Sequence, residues 1–281
     1  MRWLSYSADG HESFGIVLGD GVVDAPLRFP EFHDLKDLLA SSRLEEVGAE
    51  LGADVADHAL TDIHYRPVIP NPDKILCVGQ NYVAHRDEMG GKEAGEPTIF
   101  VRFAAAQMGH EEPMIRPRES ERLDYEGEIA LIIGEGGRRI SREHAMEHVA
   151  GFSCYNDGSV RDYQRHTTQF TPGKNFVGTG GFGPWMMTPD EVGEISNLEV
   201  TTRLNGEVMQ NATAELLLFG FPKLIEYCST FTELAPGDVI VTGTPSGVGA
   251  ARNPPVFMDE GDVIEVEVKP IGVLRNRVIV G

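Results

Sequence analysis

A chain of 281 residues, 41% hydrophobic and 24% charged, has the composition of an ordinary globular protein and is long enough for one large core or a small domain beside a larger one. Its 44 acidic against 24 basic side chains give a net charge of −20, which argues against a nucleic-acid partner, since phosphate binding needs clustered Lys and Arg. No apolar run is long enough to cross a bilayer, and the opening MRWLSYSADGHES lacks the basic and apolar regions of a signal peptide, so a cytoplasmic location away from membranes is expected.

Residues 14–25, FGIVLGDGVVDA, read as two short strands around Gly19-Asp20-Gly21. From 31 to 51, Phe32, Leu35, Leu39, Leu44, Val47 and Leu51 recur at helical spacing. The Pro-rich YRPVIPNPDK (65–74) then reads as a linker, which predicts a small N-terminal α/β domain over residues 1–70 and a larger one over 71–281. Within the larger part, apolar runs of strand length recur as ILCVG, TIFVRF, IALIIG, VIVTG and VIEVEV, divided by turn signals such as Asn205-Gly206 and Pro236-Gly237. Helical stretches are fewer, the clearest being 141-SREHAMEHVAG-151 and 222-PKLIEYCSTF-231. The expected class is therefore α+β and mostly β, without the strand–helix alternation of a doubly wound fold.

Several motifs fail on context. The run 178-GTGGFG-183 matches G-x-G-x-x-G, but Pro184-Trp185 follows where a helix should start, so a tight glycine turn is expected instead of a dinucleotide site. The run 144-HAMEH-148 matches H-x-x-E-H, yet it reads as the exposed face of a short helix, and no zinc is assigned. Cys77, Cys154 and Cys228 are an odd number at wide spacings, which fits reduced thiols better than a disulfide framework or a zinc site.

The stretch 124-DYEGEIALIIG-134 raises a sharper question. Side chains alternate along a strand, so Glu126 and Glu128 share one side, with Tyr125, Gly127, Ile129, Leu131 and Ile133 on the other. Two like charges side by side are unfavourable unless a basic residue or a metal ion lies between them. Downstream, Asp157 in 155-YNDGSVRDYQ-164 follows an apolar approach and precedes a turn. On spacing alone two readings stand. Three carboxylates could make an all-oxygen site for Mg²⁺ or Mn²⁺, also acceptable to Ca²⁺, or they are two solvent-facing glutamates and a turn aspartate.

An ordered series of blocks bears on that choice: GQNYVAHRDEMG (79–90), DYEGEIALIIG (124–134), HVAGFSCYNDGSVRDYQ (148–164), PGKNFVGTGGFGPW (172–185), RLNGEVMQ (203–210) and LAPGDVIVTGTPSGVG (234–249). Together they resemble the fumarylacetoacetate hydrolase family over nearly everything from Lys74 onward. The resemblance implies a mixed β-roll catalytic domain, usually a homodimer, with one divalent metal held at Glu126, Glu128 and Asp157. It also implies that Lys174 is an active-site lysine, that Arg161 and Gln164 contact substrate, and that Thr244 lies near the substrate carboxylate. His85 and Glu88, three apart in a segment that Gly90-Gly91 would end, can pair on one helical face and match the histidine–glutamate dyad of acylpyruvase-like members. Two positions depart from the family's pattern: many relatives have Gly-Arg-Asn-Tyr where this chain has Gln80, and a lysine where it has Arg102.

A metal of this kind would chelate a 2-oxo acid and act as a Lewis acid toward the enolate, a device that serves hydrolysis, decarboxylation and keto–enol isomerisation alike. With His85 and Glu88 as the base that activates water and Lys174 as a fixed cation, the sequence-based expectation is a metal-dependent hydrolase of C–C bonds in small 1,3-dioxo acids of the acylpyruvate or fumarylpyruvate type. The enzyme alternative is a decarboxylase of oxaloacetate-like 2-oxo acids or a 2-hydroxymuconate-type isomerase. A metal-stabilised binding protein without turnover would have no need of a base.

Overall fold

In the computed structural model, which describes residues 1–90 and 95–281, a twelve-stranded mixed sheet packs against a five-stranded one. The large sheet runs, from the outer N-terminal edge inward, through His58–Ala59, Gly21–Asp24, His11–Leu18, Arg2–Ala8, Gly180–Met187, Val149–Asp157, Gly127–Ile133, Val239–Val241 and Ile75–Gly79, and ends at Thr98–Arg102, with His64–Tyr65 paired to Arg2–Ala8 and Gln107–Met108 to Gly180–Met187 off this path. The smaller sheet orders Glu207–Thr213, Glu199–Leu204, Val263–Lys269, Gly272–Val280 and Met114–Arg116. All five apolar runs of the sequence are strands, and the mostly β class is borne out.

The strand Gly127–Ile133 is buried on both faces, which is why its sequence reads as a continuous apolar run and not as an alternation. On one side Ile129, Leu131 and Ile133 pack with Val200, Val266 and Val268 of the smaller sheet and with Leu224, Ile225 and Cys228 of the helix Phe221–Phe231. On the other, Ala130 and Ile132 meet Trp3, Phe14, Leu35 and Leu38 from the N-terminal part. Each fully buried side chain of this size contributes about 1.5–3 kcal/mol, so the strand is anchored from two directions. Gly127 is required by that packing, since a Cβ there would fall 2.0 Å from Thr202 Oγ1.

At the N-terminus, His11–Leu18 and Gly21–Asp24 form the expected hairpin, and Arg2–Ala8 carries it onto the large sheet by pairing Arg2 with Met187. The helical periodicity of 31–51 is resolved into two helices, Leu35–Ala40 and Leu44–Leu51. Asp34 caps the first by accepting from Asp37 N at 2.8 Å, and Ser42 at φ +60° breaks the run between them.

The helix expected over 141–151 is a correction. Only Ala145–His148 makes a single 3₁₀ turn, and Val149 opens the strand that ends at Asp157. Its Val149, Ala150, Phe152 and Cys154 are buried, so sheet packing overrides the local spacing of His, Ala and Met. The neighbouring histidines make local contacts, His144 Nδ1 with Glu147 Oε1 at 3.0 Å and His148 Nδ1 with the Glu135 carbonyl at 2.8 Å. In the glycine run, Gly178 turns at φ +67° and Gly180 begins a strand, as expected of a motif with no helix behind it. The three cysteines are free and buried, and among the described residues no helix is long and apolar enough to cross a membrane.

Candidate metal centre and active site

Sheet pairing assembles the acidic cluster. The strands Gly127–Ile133 and Val149–Asp157 are antiparallel with Gly127 opposite Asn156, and Asp157 N donates to the Glu126 carbonyl at 2.8 Å. Asn156 Oδ1 accepts from Glu126 N at 3.0 Å, fixing the backbone between the two glutamates and the aspartate. Glu126, Glu128 and Asp157 are all buried and each offers an oxygen, with those atoms within 4.8 Å of one another. Solvent-facing glutamates are thereby excluded.

Both kinds of positive charge that the paired glutamates call for have a place here. Lys174 Nζ bridges Glu126 Oε2 and Asp157 Oδ2, each at 2.6 Å. Arg161 pairs with Glu126 at 2.6 Å and with Asp124 at 2.7 Å, while Arg102 pairs with Asp157 at 2.6 Å and donates to the Gly158 carbonyl at 2.9 Å. Glu128 has no ion-pair partner among the described residues; it accepts a hydrogen bond from Gly243 N. Gly243 presents that N–H at φ +104°, a conformation suited to glycine.

The protonation tendencies follow. Burial alone would raise Glu126, but Lys174 and Arg161 outweigh it and hold the carboxyl well below the usual range. Glu128 is pushed up, first by burial and then by the charges of Asp157 and Glu126. Burial would lower Lys174, yet Asp157 and Glu126 keep it raised and charged. Four buried acidic side chains, Asp124 among them, therefore face three cationic ones, and Glu128 is the acid left without a cationic partner among the described residues. A divalent cation fits this donor set: the ligands are hard oxygens, and each carboxylate oxygen keeps a lone pair beyond the N–H it already accepts.

The remaining expected residues converge on the same place. A cleft of about 370 Å³ is lined by His85, Glu126, Glu128, Asp157, Arg161, Gln164, Lys174 and Thr244. Glu88, the ninth, stands behind His85. On the helix Val83–Glu88 it reaches His85 Nδ1 at 3.2 Å and also accepts from Gly247 N at 2.9 Å, tying the helix to the loop after Val241. Gly90 follows the helix at φ +67°, and Gly91 lies outside the described residues. Gln164 Oε1 accepts from Arg161 Nη1 at 3.0 Å. Thr244 donates its hydroxyl to the Gly127 carbonyl at 3.0 Å and accepts from Gln210 Nε2 at 2.7 Å.

Sequence reasoning missed Asp124, Gln210 and the role of Arg102. Asp124 accepts from Arg161 Nε, Tyr125 N, Gly249 N and Ala250 N, and so holds Arg161 and the 249–250 turn together. Its signal was present, because Asp124 continues the alternation of Glu126 and Glu128 by one more step. Gln210 and Arg102 arrive from distant strands and leave no local trace.

Comparison with known proteins agrees with this architecture. The fumarylacetoacetate (FAA) hydrolase C-terminal domain matches residues 74–279. A mitochondrial oxaloacetate tautomerase of Bos taurus is 41% identical over 221 residues, covering 78% of this chain and 70% of that protein. The structure of a fumarylacetoacetate hydrolase from Exiguobacterium antarcticum superposes with a TM-score of 0.88 at 33% identity, covering both chains completely. A maleylpyruvate hydrolase from Sphingobium, solved with manganese(II) and pyruvate, superposes over both full chains with a TM-score of 0.82 at 26% identity. By its strand order, its cleft and these matches over most of its length, the chain is an enzyme that belongs to the fumarylacetoacetate hydrolase family.

Proposed function

We propose that this protein catalyses keto–enol tautomerisation of a small 2-oxo acid of the oxaloacetate class, with Mg²⁺ or Mn²⁺ held by Glu126, Glu128 and Asp157. The observation that carries the reading is the one imidazole lining the cleft. His85 shares the cavity with the three carboxylates, its Nδ1 is taken by Glu88, and Nε2 is the nitrogen left to exchange a proton. The tautomerase name of a relative 41% identical favours isomerisation over the hydrolysis that the His–Glu spacing first suggested.

When bound, the cation would supply Lewis acidity to the chelated 2-oxo carboxylate. His85 takes a proton from C3 and delivers it to the 2-oxygen, so one C–H bond is broken, one O–H bond is formed, and nothing is added or lost. Glu88, held by the Gly247 N–H, orients the ring through its contact with Nδ1. Lys174 keeps a fixed positive charge beside the developing enolate without rearrangement, because Glu126 and Asp157 clamp it.

Hydrolysis of a 1,3-dioxo acid is the second reading, favoured by the dyad and by the manganese and pyruvate in the maleylpyruvate hydrolase. There the same base would deprotonate water. A panel of oxaloacetate, acylpyruvates and fumarylpyruvate with Mn²⁺-loaded protein separates the two. The tautomerase reading expects keto–enol equilibration of oxaloacetate at least about 100-fold faster than Mn²⁺ alone, the lower range for a positioned base. Cleavage of the dioxo acids with oxaloacetate untouched would replace it by the hydrolase reading.

Residues 71–281 are the catalytic unit in this proposal, since they supply every residue that lines the cleft, with 1–70 as a small domain against them. The assembly is a homodimer. Supporting this, Thr98–Arg102 is an edge strand, and Val101, Phe103 and the nearby Val177 are exposed beside it. Sedimentation at micromolar concentration is expected to give a particle of twice the 30.8 kDa chain, and only a monomer would refute it.

A further inference from the structure

We infer that Arg165 is the specificity-determining residue of the cleft and that it receives the second carboxylate of a 2-oxo diacid, an inference that rests on the 2-oxo acid reading above. Among the positively charged or titratable nitrogen side chains that line the cavity, His85 is held by Glu88, Arg161 by Asp124 and Glu126, and Lys174 by Glu126 and Asp157. Arg165 is the fourth. It is exposed and forms no ion pair among the described residues.

Charge decides what that guanidinium is for. The buried cluster carries one more carboxylate than cation, and one divalent ion turns the balance to a single positive charge. The carboxylate of a 2-oxo acid cancels it. Among the described residues of the lining, Arg165 is then the one left to supply a counter-charge to a second carboxylate entering the same cleft. Gln80, Gln164 and Thr244, the neutral polar side chains of the lining, can hydrogen-bond but cannot balance the charge. A guanidinium offers a planar fork of donors that matches a carboxylate bidentately.

The backbone that carries Arg165 is firmly placed. Arg165 follows the short helix Arg161–Gln164, and its N–H donates to the Asp162 carbonyl at 3.1 Å. That helix lies against the turn bearing Lys174 so closely that a Cβ on Gly173 would fall 2.3 Å from Gln164 N. The helix thus presents Arg161 inward to the carboxylates and its C-cap residue Arg165 at the solvent side of the same cavity, as a two-ended substrate requires.

The test compares oxaloacetate with its 4-methyl ester, which keeps the chelating end and removes the distal charge. Titration calorimetry with Mn²⁺-loaded protein gives affinities, and tautomerisation rates give KM and kcat. The parent is expected to prefer the diacid by about 10- to 100-fold, the range for a hydrogen bond to a charged group. Arg165→Gln should abolish that preference by weakening the diacid alone, with kcat for oxaloacetate and Mn²⁺ affinity nearly unchanged, and Arg165→Lys should retain part of it. Equal preference in parent and Arg165→Gln, or no preference in the parent, overturns the assignment. If neither compound is turned over, the tautomerase reading falls while the affinity ratio still decides the role of Arg165. Failure of both to bind overturns both.

Discussion

Replacing Glu128 by Ala should lower Mn²⁺ affinity by more than about 100-fold, since residues that merely support metal ligands already account for 10- to 100-fold, and tautomerisation should be lost with the metal. Glu128 is the carboxylate that makes the site need a cation. Glu126 and Asp157 already have Lys174, Arg161 and Arg102, so without Glu128 the buried charges balance and a divalent ion would enter a neutral or positive site. The same argument gives an opposite sign for the metal-free protein. There Glu128 is a buried acid without a cation, and Glu128→Gln should leave stability equal or higher in urea unfolding. Addition of Mn²⁺ at 100 times its Kd should stabilise the parent by about 2.7 kcal/mol and the variant hardly at all. Burial and the neighbouring carboxylates raise Glu128, so a proton competes with the cation and Mn²⁺ affinity should fall as the pH is lowered. Parental Mn²⁺ affinity in Glu128→Ala would remove the metal centre from this cluster.

Replacing His85 by Ala should slow oxaloacetate tautomerisation by about two to four orders of magnitude, the usual contribution of a positioned general base, while metal binding survives. The separation is expected because His85 reaches the cleft from the helix Val83–Glu88 and, among the described residues, makes its hydrogen bond to Glu88 and none to the three carboxylates. Glu88→Gln should lose less, since the amide can still hydrogen-bond to Nδ1 and to the Gly247 N–H and so keeps the ring oriented. If His85→Ala works at nearly the parental rate, the dyad is a structural clasp between helix and loop.

The parts of this site that were legible in sequence are those written within one element. The side shared by Glu126 and Glu128 follows from strand alternation, and the three-residue spacing of His85 and Glu88 from the helix repeat. Asp157 needed resemblance, because only the register of Gly127 against Asn156 brings it to the pair. Arg102 was read as a departure from the family's lysine, whereas its place as the partner of Asp157 depends on a contact between residues 55 positions apart. The helix expected at 141–151 failed because burial of Val149, Phe152 and Cys154 in the sheet outweighs a spacing that was only locally helical. Hydrolysis and tautomerisation share the metal, the base and the lysine, so residue identity does not separate them, and the balance shifted with the oxaloacetate tautomerase relative.

The most direct measurement is the rate at which purified, Mn²⁺-loaded protein equilibrates enol and keto oxaloacetate, followed by the enol's ultraviolet absorbance while pyruvate is assayed in parallel. The account predicts acceleration well beyond Mn²⁺ alone, its loss on chelation and recovery on adding Mn²⁺ back, and no pyruvate formed in step with the change. Equilibration no faster than with free Mn²⁺, or pyruvate appearing as fast as the enol disappears, would contradict it.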